Sequence, residues 1–295
     1  MAFTPLRAGA GTGTLLAVAA MGCVQLGLAV SVDLANTLGA AGIAWLRLVF
    51  AALLILVIAR PWRARFTRRA LLTCVLLGVA TAGMTVLFMA AVVRIPLGTA
   101  SALEFIGPLG VAVASGRGRA RLWALAAAAG VVALTEPWHG GVDPIGIAAA
   151  LGAAVCWAGY ILLTQRAGDA VNGLHALAVS FPVAAIVASF TITPDVLSRL
   201  TWPLLLTGLG LALLLPVVPF MLEFLALRRL STAAFGTLMS LEPAIALLIG
   251  FTLLGQVPRP LAVLGIALVI LAGIGATRSG ARGTAAPQTA ALATP

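Results

Sequence analysis

The chain is cut into apolar stretches about as long as a bilayer is thick. Ten can be marked, at about 12–32, 39–59, 70–92, 97–115, 122–135, 145–165, 174–193, 202–224, 232–254 and 260–277. The hydrocarbon core of a membrane takes about 20 apolar residues per helix, so each stretch predicts a membrane-spanning helix. The fifth is the shortest. Composition closes off the soluble alternative: 62% of the residues are hydrophobic and 9% are charged, against roughly 25% charged in soluble domains. Too little polar material exists to cover a water-soluble body of 295 residues. The first stretch, with Arg7 before it, has the layout of a signal peptide. Its length and the nine stretches after it predict an uncleaved helix.

The net charge is +10, and all 18 basic residues are arginine. They cluster between the apolar stretches, as topology signals do, and they do not form a nucleic-acid patch. With the N-terminus inside, the inner segments hold fourteen: Arg7, the group from Arg60 to Arg69, Arg117 to Arg121, Arg166, Arg228 and Arg229, Arg278 and Arg282. The outer loops hold three, Arg94, Arg199 and Arg259, and Arg47 lies inside a span. This bias predicts cytoplasmic termini. RPWRARFTRR (60–69) reads as a cytoplasmic loop near anionic lipid. The Ala-, Thr- and Pro-rich tail, 280–295, predicts disorder.

An internal duplication is visible. Arg94 precedes Pro108 by 14 residues, as Arg229 precedes Pro243; Gly130 follows Pro108 by 22, as Gly265 follows Pro243. The offset is 135, and GTGTLLAVAAMGC (11–23) aligns on the segment ending at Cys156 with an offset of 133. Five spans fill one unit. An odd number makes the two units cross the membrane in opposite senses, which is the inverted-repeat plan of secondary transporters. The expected architecture is therefore all-α, with ten helices as two inverted five-helix repeats, 1–135 and 136–279.

Charge inside a span costs about 2.5–3.5 kcal/mol on insertion scales and marks a cavity or a partner. Four such residues stand out: Arg47, Glu104, Glu223 and Glu242. Glu104 admits two readings. It is a packing carboxyl, protonated or paired with Arg47, or it is a cavity group that binds an ammonium or carries a proton, because a carboxyl taken out of water can exchange protons near neutral pH. Arg47 either neutralises Glu104 or offers its planar fork to a substrate carboxylate. Glu242 reads equally as a local packing group or a substrate contact, and Glu223 as an interfacial charge near Arg228 and Arg229. Pro108 and Pro243 hold the same place in the two repeats, and each removes a backbone donor from its helix. Either alone is a static kink; their symmetric placement points to a shared mechanical role. Gln25 and the pair Trp157 and Tyr160, three residues apart on one helix face, are cavity candidates that read as well as ordinary packing.

Other chemistry finds no support. Cys23, Cys74 and Cys156 lack metal or redox spacing, and His139 and His175 stand alone. GAGTG (9–13) follows no strand, and no P-loop is present, which excludes the signature of ATP-driven pumping. No catalytic triad can be assembled, so no enzyme, cofactor or metal is expected.

Five stretches carry a resemblance: WLRL (45–48), RPWRARF (60–66), IPLGTASALEFIGPLGVAVAS (95–115), CWAGYILLTQRAG (156–168) and FGTLMSLEPAIALLIG (235–250). The chain resembles the drug/metabolite transporter superfamily with paired EamA-type repeats, and within it the threonine/homoserine exporter branch. The resemblance spans all ten stretches and implies export of small amino acids across a bacterial inner membrane by proton exchange. Gln25, Arg47, Glu104, Pro108, Trp157, Tyr160, Glu223, Glu242 and Pro243 match the branch pattern. Where the family reads LGE after span 9, this chain reads LLGQ, with Gln256 in place of a loop-edge carboxylate.

The expected function is alternating-access export of a small zwitterionic metabolite, with a cavity among spans 1–4 and 6–9. Arg47 faces the substrate carboxylate, Glu104 its ammonium, and Glu104 or Glu242 carries a proton. Expected partners are the substrate, the proton and the lipid bilayer, with no nucleic acid. A multidrug or other metabolite exporter of the same fold is one alternative, and a non-transporting membrane scaffold with a sealed core is another.

Overall fold

The computed structural model describes residues 6–61, 66–115, 120–135, 143–170, 173–227, 229–230 and 232–280. The expected tail from 281 onward, His139, and most of the inner arginine clusters lie outside the described residues or their described side chains. Every regular element among the described residues is helical. In hydrocarbon, the backbone must satisfy its own donors and acceptors, and a helix does this within one segment.

The helices are α1 (Leu6–Ala59), α2 (Arg68–Val92), α3 (Leu97–Glu104), α4 (Ile106–Ser115), α5 (Ala120–Thr135), α6 (Pro144–Ala170) and α7 (Gly173–Ser189). They continue with the short α8 (Pro194–Ser198), α9 (Trp202–Ala212), a π-helical turn (Leu213–Val217), α10 (Val218–Leu227), α11 (Thr232–Met239), α12 (Glu242–Leu254) and α13 (Pro260–Gly280). Among the described residues five stretches are long and apolar enough to cross a membrane: Gly11–Ala59, Arg68–Val92, Pro144–Thr164, Trp202–Glu223 and Thr237–Leu254. Four shorter apolar helices accompany them: Leu97–Val111, Leu122–Leu134, His175–Ser189 and Pro260–Gly275. The protein is a multi-pass membrane protein.

A straight helix of 54 residues would be about 80 Å long, far more than a bilayer core of about 30 Å. α1 avoids this by breaking at Gly39, whose φ of 74° and ψ of 162° are non-helical. Glycine alone adopts such a backbone at little cost. α1 is therefore two helices, broken where the second predicted stretch begins.

Packing relies on small side chains. Ala17, Ala20, Ala44, Ala100, Ala150, Ala153 and Ala272 are fully buried, and small residues let helix backbones approach where lipid offers no hydrophobic drive. α2 lies against α6 and α7, α1 against α7, α9 and α10, and α5 against α13. At Gly130 and Gly265 the backbones of α5 and α13 come close together. A Cβ on Gly130 would sit 2.9 Å from the Gly265 carbonyl oxygen, and one on Gly265 would sit 2.8 Å from the Gly130 oxygen. Large apolar side chains such as Leu15, Val57, Phe190 and Trp202 point outward, as a lipid-facing surface requires.

Side chains tie the connections to the helix ends. Asp143 accepts from the backbone N–H of Ile145 at 2.8 Å and of Gly146 at 3.3 Å, at the start of α6, and pairs with Arg94 at 3.2 Å. Desolvation works against the charged form of Asp143, but the Ile145 N–H, the Arg94 guanidinium and the Gly146 N–H together hold its carboxyl below the ordinary value. Gln256, at the departure from the family pattern, accepts from the N–H of Leu97 at 2.9 Å. This satisfies a donor in the first turn of α3, where the N-cap, Pro96, has no side chain to do so. The amide supplies an acceptor there, as a carboxylate could.

Candidate functional site

Three interrupted helices build the centre of the molecule, and one local rule explains all three breaks. Proline has no N–H to offer the carbonyl four residues earlier, and its ring crowds that carbonyl. α3 stops at Glu104, four before Pro108. α9 gives way to the π turn after Ala212, four before Pro216. α11 stops at Met239, four before Pro243. Pro182 lies inside α7 without ending it, so a proline alone does not dictate a break. Pro216 was missed as a sequence candidate, although two prolines inside one apolar stretch, PVVP (216–219), are a legible signal.

Around these breaks lies a cavity of about 510 Å³. Its wall includes Arg47 from α1, Glu104 from the end of α3, Trp157 and Tyr160 from α6, Glu223 from α10 and Glu242 from the start of α12. The described lining comes from the stretches predicted as spans 1–4 and 6–9, and α5 and α13 contribute nothing to it. Most of the remaining wall is apolar, with Met84, Phe88, Phe181, Met221 and Met239. Thr81 and Thr85 on α2 and the π-turn residue Pro216 also line it.

Six sequence candidates thus share one cavity, although they lie on five helices. Gln25 does not line it. It is 1% exposed and donates from Nε2 to Oε1 of Glu242 at 3.1 Å. Pro108 and Pro243 act through the backbone and lie off the lining. Trp157 is steadied by Phe105, the residue at the α3–α4 break, in an edge-to-face contact with ring centroids 6.3 Å apart.

Arg47 and Glu104 face the same space within electrostatic reach of each other, but without direct contact. Among the described residues Arg47 forms no ion pair within 4.0 Å, and its Nε is buried with no hydrogen-bond partner. An unpaired guanidinium out of water is costly. Beside a cavity, such a guanidinium can receive an anionic group that enters it. Three carboxyls, Glu104, Glu223 and Glu242, share the wall with Arg47, suited to an ammonium or a proton. The arrangement can therefore grip both ends of a zwitterion, and its mostly apolar remainder can take an uncharged side chain.

Comparisons with known proteins bear on the family and the fold. A family model described as the EamA-like transporter family matches residues 144–277. The chain is 38% identical over 275 residues to the threonine/homoserine exporter RhtA of Salmonella typhimurium (strain SL1344), covering 89% of this chain and 90% of that one. It is 36% identical over 275 residues, with the same coverage, to the protein of the same name from Escherichia coli (strain K12). A solved crystal structure shares the fold with a TM-score of 0.56 at 17% identity, covering 90% of this chain and 96% of its own.

Proposed function

The chain belongs to the EamA-like transporter family, and from that premise we propose that it exports small zwitterionic amino acids, threonine- and homoserine-like, across the bacterial inner membrane. The observation that carries this reading is the convergence of an unpaired Arg47 with Glu104 and Glu242 on one cavity. Arg47 holds the substrate carboxylate, and its planar fork suits two oxygens at once. Glu104 holds the ammonium, and a proton moves inward on Glu104 or Glu242 as substrate moves outward.

The cavity opens to one side of the membrane at a time. Two five-helix units, 1–135 and 136–279, cross in opposite senses, with both termini cytoplasmic. Three features support this. The breaks before Pro108 and Pro243 fall at the same register of the two units. Gly130 and Gly265, equivalent at the same offset, touch each other, as equivalent residues do only near a two-fold axis. Among the described residues α5 and α13 stay out of the cavity wall, leaving the broken helices free to rearrange.

The test is counterflow in proteoliposomes loaded with threonine, homoserine or a panel of other metabolites, with and without a pH gradient. Threonine or homoserine exchange that responds to the gradient is expected. Absence of any amino-acid flux from folded protein sinks the reading. A second reading, export of lipophilic cations on the same fold, is favoured by the three methionines and two phenylalanines on the wall, since methionine adapts to varied ligands. Exchange of such cations without threonine would select it. A scaffold with a sealed core has no use for a cavity of about 510 Å³.

A further inference from the structure

Gln25 is the one sequence candidate that reaches the cavity only through another residue. It lies in the first helix of α1, 217 residues before Glu242, yet its Nε2 donates to Oε1 of that carboxyl at 3.1 Å. Its own Oε1 is buried and has no hydrogen-bond partner. The side chain is 1% exposed and stands behind the cavity wall, whereas Glu242 is part of that wall. A buried acceptor with no donor costs about 1–3 kcal/mol, so an orphan at this place asks what donor it waits for.

The donor is at hand. An ionised carboxylate only accepts, and the amide N–H serves it. A protonated carboxyl carries an O–H and still accepts on its other oxygen. An amide edge presents N–H and C=O side by side, so it can accept the O–H while donating as before. We propose that Gln25 is a positioning residue for Glu242, making one hydrogen bond to the ionised carboxylate and two to the protonated carboxyl, so that the side chain stays aimed at the cavity in both forms. The step moves one proton onto the free Glu242 oxygen and breaks no covalent bond in Gln25. It rests on the reading above of Glu242 as a coupling acid.

Other charged or titratable groups face the same cavity: Arg47 on α1, Glu104 on α3, Tyr160 on α6 and Glu223 on α10. Any of them can influence the charge on Glu242, but among the described residues Gln25 bonds only Glu242. This separates positioning from the general field of the site. It also couples the first helix to the break in the ninth stretch, because Glu242 is the first residue of α12. Pro243 behind it is fully buried.

The test uses full-length protein in proteoliposomes, with Gln25→Leu, Glu242→Gln and the double variant. Gln25→Leu is expected to lower maximal threonine counterflow about tenfold, the size of one lost hydrogen bond to a charged group. The KM should stay within about twofold because the residue does not touch substrate. In the Glu242→Gln background the same change should cost nothing further. Infrared difference spectra on acidification give a readout that needs no transport. The Glu242 carboxyl C=O band, identified by its loss in Glu242→Gln, should move to higher frequency in Gln25→Leu. Gln25→Asn, which withdraws the amide by one carbon, should reproduce the shift if the leucine variant folds poorly. An unmoved band, or a flux loss that persists at full size without Glu242, overturns the proposal. Absence of amino-acid flux in the unmodified protein defeats the transport reading instead and leaves the spectroscopic arm to judge the pairing.

Discussion

Arg47→Met separates two accounts of the buried cation. If Arg47 were held by Glu104, removing it would strand a buried charge, a loss of about 3–5 kcal/mol. The structure argues otherwise: Arg47 forms no ion pair within 4.0 Å among the described residues, and its Nε has no partner. Methionine fills a similar volume without a charge to desolvate. Thermal stability in detergent should therefore hold or rise. The cost should fall on substrate instead. A hydrogen bond to a charged group is worth about 1.5–3 kcal/mol, which is about 10- to 150-fold in affinity. The rise should appear in the KM for threonine counterflow, and Arg47→Lys should lie between, keeping charge but losing the fork. The reasoning is refuted if Arg47→Met melts several degrees lower and Glu104→Gln in the same chain restores it, because that is the signature of a structural pair.

Three further outcomes follow from the same geometry. Glu104→Gln should keep the fold and lose substrate binding or the response to a pH gradient; wild-type transport in that variant returns Glu104 to packing. Gly130→Ala puts a methyl 2.9 Å from the Gly265 oxygen, so α5 and α13 must part. A loss of about 1–3 kcal/mol, as for overpacking, should show in thermal melts, and an unchanged melt would deny the close approach. Asp143 is held below its ordinary value in the folded protein. Its contribution is therefore present above about pH 4, the unfolded range, and fades as pH falls through the lower folded value. Asp143→Asn should remove that part of the acid dependence from melts, and identical acid profiles would show that the Arg94 contact adds nothing.

Much of the local structure was legible because its causes are local. A helix closes its hydrogen bonds within itself, so runs of apolar residues predict helices wherever lipid is the solvent. Pro108 and Pro243 could be read as breaks because proline acts on the carbonyl four residues before it. The fifth stretch, predicted short, is the 16-residue α5. Pro216 was as legible and was overlooked. Gln256 stood out in the sequence only as the replacement of a loop-edge carboxylate, and the structure shows it accepting from the first turn of α3.

What the sequence by itself determined is the number and length of apolar stretches, their breaks, and which few residues carry charge among them. It could not say which of those residues meet. Helices apolar on every side carry no polar stripe to tell the lipid face from the packed one. The gathering of Arg47, Glu104, Glu223 and Glu242 on one cavity is a consequence of helix packing. So are the separation of Arg47 from Glu104 and the bond from Gln25 to Glu242 across 217 residues. Sequence spacing encodes the turn of a helix, but only close approach between helices, governed by alanines and by glycines such as Gly130 and Gly265, decides which turn faces which.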